Sequence, residues 1–146
     1  MTALTFDLDP VDVAVLALLR APGNLAVHVG TVTDSDDNAK TVSAPLPYLL
    51  YGSTVGAGAS ERLAGWQGRM VTFTTTYTNS ALDSCKAVAL AVRAHLDGSG
   101  VTIAGTERRI HLSDPTQPVY VERDQVWRRP DGSPLFFAVD RWLVRA

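Results

Sequence analysis

The sequence predicts an α+β fold: an antiparallel or mixed β-sheet flanked by two helices, with long loops free to reach other subunits. Three observations carry this. Residues 69–78 alternate strictly, with Val71, Phe73, Thr75 and Tyr77 on one face and Met70, Thr72, Thr74 and Thr76 on the other, as in a half-buried strand. Two other stretches repeat apolar residues at helical spacing. The remaining strand-like segments follow one another in runs and do not alternate with helices, which favours α+β over a doubly wound sheet. The length of 146 residues is that of one domain spanning 1–146.

The first helix is expected to start at Asp9. Asp is a good N-cap, Pro10 suits the first helical position, and Asp12 complements the positive end of the helix dipole. Val11, Val15, Leu18 and Leu19 share one face, yet Val13, Ala14, Leu16 and Ala17 make the rest apolar too. A helix with so little polar surface needs a second cover, so Val13 and Leu16 are expected to touch another subunit. Pro22-Gly23 ends it. Residues 25–32 read as a strand, 33–44 as a polar loop and 47–51 as a short strand. The Gly- and Ser-rich stretch 52–68 is long for a plain connection, which marks a functional loop. The second helix is expected over 80–96, capped by Asn79 or Ser80 and stopped by Asp97-Gly98. Cys85, Val88, Ala89, Val92 and Leu96 form its apolar stripe. Short strands are expected at 101–103, 109–112 and 119–123, and a turn at Arg129-Pro130-Asp131-Gly132. A closing strand over 135–144 is apolar on both faces apart from Asp140 and Arg141.

Composition narrows the class of function. Hydrophobic residues make up 46% and charged residues 19%, enough to bury a core. The longest apolar run, Val13 to Leu19, is too short to span a bilayer, and Asp7 and Asp9 give the N-terminus the wrong charge for a signal peptide. Synthesis and residence in the cytoplasm, with no membrane partner, are expected. The net charge of −2 excludes a chain that binds nucleic acid through its overall charge. Residues 1–60 sum to −4 and the remainder to +2.

No catalytic pattern emerges. His28, His95 and His111 lie too far apart in sequence for a close metal-ligand pair and are expected to be structural. The single cysteine, Cys85, falls on the apolar face of a helix and is expected to be buried. Asp34, Asp36 and Asn38 match the start of a calcium loop, but Ala39 and Pro45 stand where the pattern needs glycine and glutamate. The stretch from Val55 to Glu61 has neither the third glycine of a dinucleotide loop nor the Gly-Lys of a phosphate loop. The expectation is a protein that is not an enzyme, with no cofactor.

The order of elements, and several segments within it, resembles the tail terminator (tail completion) proteins of siphophages, the lambda-type family. The residues that carry this are the apolar helix at 11–19 leading into a strand, Pro47-Tyr48-Leu49-Leu50-Tyr51, Gly68-Arg69-Met70-Val71-Thr72-Phe73-Thr74, the helix from Ala81 to Leu96 ending in Asp97-Gly98, and Pro134 to Trp142. The last of these is similar to the closing strand in relatives from phages of actinobacteria. The resemblance implies a hexameric ring of identical subunits. Such a ring caps the head-proximal end of the tail tube, stops polymerisation of the major tail tube protein, presents a docking face to the head-closure or connector protein, and lets double-stranded DNA pass through its centre in the virion.

Interface residues follow from the chain itself. Arg62, Trp66, Trp127, Arg128 and Arg129 are expected at contacts with the tube or a neighbouring subunit, and Asp34, Asp36 and Asp37 facing the DNA path. Two other readings stay open: another neck component, such as a head-closure (stopper) or connector protein, and a small cytoplasmic enzyme or ligand-binding domain.

Overall fold

The computed structural model describes residues 9–32, 40–53, 71–103 and 105–145. In chain order its elements are helix α1 (Pro10–Arg20), strands β1 (Ala26–Val29), β2 (Tyr48–Ser53) and β3 (Val71–Asn79), helix α2 (Leu82–Leu96), and strands β4 (Gly100–Ile103), β5 (Thr106–Leu112), β6 (Glu122–Arg128) and β7 (Pro134–Arg145). The strands form one mixed sheet in the order β1-β2-β3-β7-β5-β4. Among the described strands β1 and β2 pair in parallel and the other ladders are antiparallel. The α+β expectation therefore holds.

β7 is the central strand. One edge pairs with β3 over nine residues, from Val71↔Val144 to Asn79↔Phe136. The other edge is shared: β6 takes its first part, at Phe136 and Phe137, and β5 its last, from Trp142 onward. The ladder is interrupted between those stretches, around Val139.

Both helices pack on one face of this sheet. α2 lies against β3, β7 and β5, while α1 touches β1 and β4, the strands at the two ends. For one helix to meet both ends the sheet must curl, so α1 sits in the seam and covers the edges that the curl brings together. Strand alternation explains the core. Leu49 and Tyr51, Val71, Phe73 and Tyr77, Ala138, Trp142 and Val144, and Ile110 and Leu112 point to the helices. They meet Val11, Val15, Leu16 and Leu19 of α1, and Cys85, Ala89, Val92 and Leu96 of α2. A smaller cluster of Val42, Tyr48 and Leu135, flanked by Leu50 and Trp127, covers one end of the opposite face.

Several boundaries differ from expectation. Asp9 caps α1 as expected, its carboxylate accepting from the Val11 N–H at 2.9 Å. α2 starts later, with Ala81 at the N-cap and no side-chain cap. Asn79 instead accepts from Ser80 N–H, closing a local turn outside the helix. The strand expected over 25–32 pairs with β2 only over Ala26–Val29. The strand expected at 119–123 is found at Glu122–Arg128, while Val119 and Val121 pack against the core from the preceding loop. Gly98 (φ +79°) ends α2 in the left-handed region where a side chain is strained.

Candidate functional site

The most concentrated polar chemistry lies between α2 and β7. Asp140 stands on the helix-facing side of β7 and is buried. Its carboxylate accepts from Arg93 Nε at 2.9 Å and Nη2 at 2.6 Å, in the bidentate geometry of the strong arginine–carboxylate pair. The Tyr77 hydroxyl donates to the same carboxylate at 2.9 Å. Thr75 Oγ1 donates to that hydroxyl at 2.7 Å and accepts from Trp142 Nε1 at 3.0 Å. Arg93 Nη1 also donates to the Gln117 carbonyl at 2.8 Å, tying the loop between β5 and β6 into the same cluster.

Electrostatics fix the protonation states. Burial, then the Asp140 charge, pushes the Tyr77 phenol well above its ordinary value, so it stays neutral and donates. The hydrogen bond to Asp140 raises the Arg93 guanidinium further, so it stays charged. Both carboxylate oxygens are occupied, and the phenol is committed as a donor. The cluster is therefore a clamp joining helix, sheet and loop, with no free base or nucleophile. A cleft of about 450 Å³ opens beside it, lined by Arg93, Ser113, Gln117, Val139 and Arg141 among others. A second, more apolar groove of about 320 Å³ runs between the C-terminal ends of the helices, past Leu19, Pro22, Val88 and His95.

The three histidines each have a neighbour that the fold supplies. His95 Nε2 lies 2.8 Å from the Leu18 carbonyl and joins the two helices. His28 meets the Tyr48 ring edge-on, and His111 lies 4.0 Å from Asp97. Cys85 is fully buried, and burial pushes its thiol up to about 11. Among the described residues no group of three His, Cys, Asp or Glu side chains is placed to hold a metal.

Asp34, Asp36, Asp37, Arg62 and Trp66 lie outside the described residues. The other interface expectations divide. Val13 is 52% exposed on α1, but Leu16 is only 2% exposed. Leu16 is thus a core residue, a correction forced by α1 sinking into the sheet seam and burying two flanks. Arg129 is half-buried, and its Nη1 donates to the Val42 and Ala44 carbonyls at 2.9 and 2.6 Å, which holds residues 42–44 against the hairpin. Trp127 is half-buried in the smaller cluster, with Lys40 Nζ 5.3 Å from its ring centroid, so its ring already has internal partners. Arg128 is exposed.

The sequence reading missed the clamp. Asp140 stood out as a charge in an apolar strand, but nothing in the chain pairs it with Arg93, 47 residues away. The usable signal was that a carboxylate in a strand apolar on both faces must find a cation.

No family model, curated protein or solved structure matches the chain.

Proposed function

We propose that this chain is the terminator of a siphophage tail: a structural, non-enzymatic virion protein whose ring caps the head-proximal end of the tail tube. The ring stops tube growth, receives the head-closure protein and lets DNA through its bore. One observation carries the reading. Most of the segments through which the sequence resembles that family are contiguous in space. Pro47 to Tyr51 leads through β2, Val71 to Thr74 opens β3, Pro134 to Trp142 runs along β7, and these strands are neighbours in that order with α2 laid over β3 and β7. The clamp supports the same reading, because its polar groups are spent on holding elements together.

Removing the chain during phage growth should give tails of uncontrolled length and heads without joined tails, and an electron-microscopy map of the particle should place a ring of copies where tube meets neck. A map that puts it on the portal side, away from the tube, identifies a head-closure or connector protein instead. Its absence from the particle overturns the reading in every form.

A further inference from the structure

We infer that the outer face of the sheet carries a binding site for the head group of an organic cation, an alkylated ammonium seated among Tyr48, Trp127 and Phe137 and balanced by the carboxylate of Asp124. The site is independent of the terminator reading and uses none of the clamp residues.

The sheet builds its floor. Tyr48 of β2, Thr78 of β3 and Phe137 of β7 stand side by side in register, and Leu50 faces Thr76 in the next row. By strand alternation all five lie on the face away from the helices. The far wall comes from β6. Asp124 and Trp127 are three residues apart, a spacing that puts side chains on opposite faces of a regular strand. Here the register shifts between Arg123 and Arg128, and Asp124 Oδ1 accepts from the Val126 and Trp127 N–H groups, each at 2.9 Å. The bulge so formed turns both side chains onto one cavity, as bulges beside binding sites do. Arg129 fixes Val42, another lining residue, by bonding its carbonyl.

The chemistry of the lining selects the occupant. The cavity holds about 200 Å³, below the roughly 300–1,000 Å³ that takes a drug-sized ligand, so it admits a head group and little more. Among the described residues that line it, Asp124 is the lone charged one. Both of its backbone bonds go to Oδ1, so Oδ2 is left to compensate a cation. An anion is repelled there. A hard metal ion needs about six or more oxygen ligands, which aromatic walls do not provide. An ammonium wrapped in methyl groups is satisfied by ring faces and one carboxylate. Trp127 already shows this preference: Lys40 Nζ stands 5.3 Å from its ring centroid, and Lys40 does not itself line the cavity. Tyr48 is a neutral wall, because burial holds its phenol above its ordinary value.

Titration of the full chain with choline chloride at constant ionic strength, followed by NMR at the Trp127 indole N–H, tests this. Saturable shifts are expected at roughly millimolar choline, and about tenfold weaker binding of dimethylbutanol, the uncharged molecule in which carbon replaces the nitrogen. Asp124→Asn keeps an oxygen for Val126 and Trp127 but removes the charge, so it should lower choline affinity to that of the neutral molecule. Trp127→Leu should weaken choline binding about tenfold. Equal affinity for the charged and neutral molecules, choline binding undiminished in Asp124→Asn, or no shift up to about 0.1 M choline each overturns the site. A short peptide with one trimethyllysine separates the two sources of such a head group. Binding tighter than choline assigns it to a protein side chain, and weaker binding to a free molecule. None of these outcomes bears on the terminator reading, which is decided on the particle.

Discussion

Asp140 shows how one side chain can hold several elements at once. Its two oxygens collect Arg93 from α2 and Tyr77 from β3, and Arg93 passes the connection on to Gln117. Truncating Asp140 to alanine strands a guanidinium that is 16% exposed, and should cost about 3–5 kcal/mol in urea denaturation. Replacing the pair together with Met and Leu should cost far less, because no buried charge is left unpaired. Leu16→Ala should cost about 2–5 kcal/mol as a core truncation, whereas Val13→Ala, at an exposed position, should stay within about 0.5 kcal/mol. That contrast measures how far the sequence alone could go. Periodicity recognised α1 as apolar all round, yet only the seam between β1 and β4 shows which flanks are filled. Cys85 gives a pH signature. Its thiol, raised to about 11 in the fold, is held neutral by burial, so its contribution to stability is complete below its ordinary pKa and is lost as pH rises through 11. A loss of about 2–3 kcal/mol over that window is expected from two units at 1.36 kcal/mol each. Thermal melts of Cys85→Ala should show a shallower alkaline decline; an unchanged slope rejects the assignment.

At the scale of elements, what was legible depended on whether local chemistry and long-range pairing agreed. α1 was predictable because Asp9, Pro10 and Pro22-Gly23 mark both ends locally. β3 was predictable because its alternation matches its burial from Val71 to Tyr77. β6 was misplaced because its seven residues, Glu122 to Arg128, are mostly polar and carry a register shift between Arg123 and Arg128. Its strand character comes from β7 and from the Thr41 bridge, neither of which lies nearby in sequence. The start of α2 was misread because two good capping residues precede it, yet the backbone enters the helix at Ala81. That leaves a correctable weakness. Ala81→Asp should supply the absent side-chain acceptor and raise stability by about 0.5–2 kcal/mol in a denaturant titration. A destabilised variant would mean that the N-cap position is wrongly placed.

For the molecule as a whole, two helices cover one face of a curled sheet, and the other face carries only the small cluster around Val42, Tyr48 and Leu135, as antiparallel sheets with one solvated side commonly do. Under the proposed terminator role, Asp34, Asp36 and Asp37, which lie outside the described residues, are the candidates to line the bore. Replacing all three with lysine should then slow DNA ejection, most at low salt, because phosphates would be held and counterions released. Screening confines the effect to about 8 Å at physiological ionic strength. Unchanged ejection in that variant, at low salt as well as high, would show that these residues do not act on the DNA. The place of β7 has a separate consequence for synthesis. It is the middle strand of the sheet, yet β3, β5 and β6, which pair with it, all leave the ribosome first. At about 5–20 residues per second, β3 waits several seconds for its partner. During that interval one edge of β3, and the part of α2 that packs on β7, lack their native cover. The core is therefore completed only once translation has passed Trp142, the largest fully buried side chain.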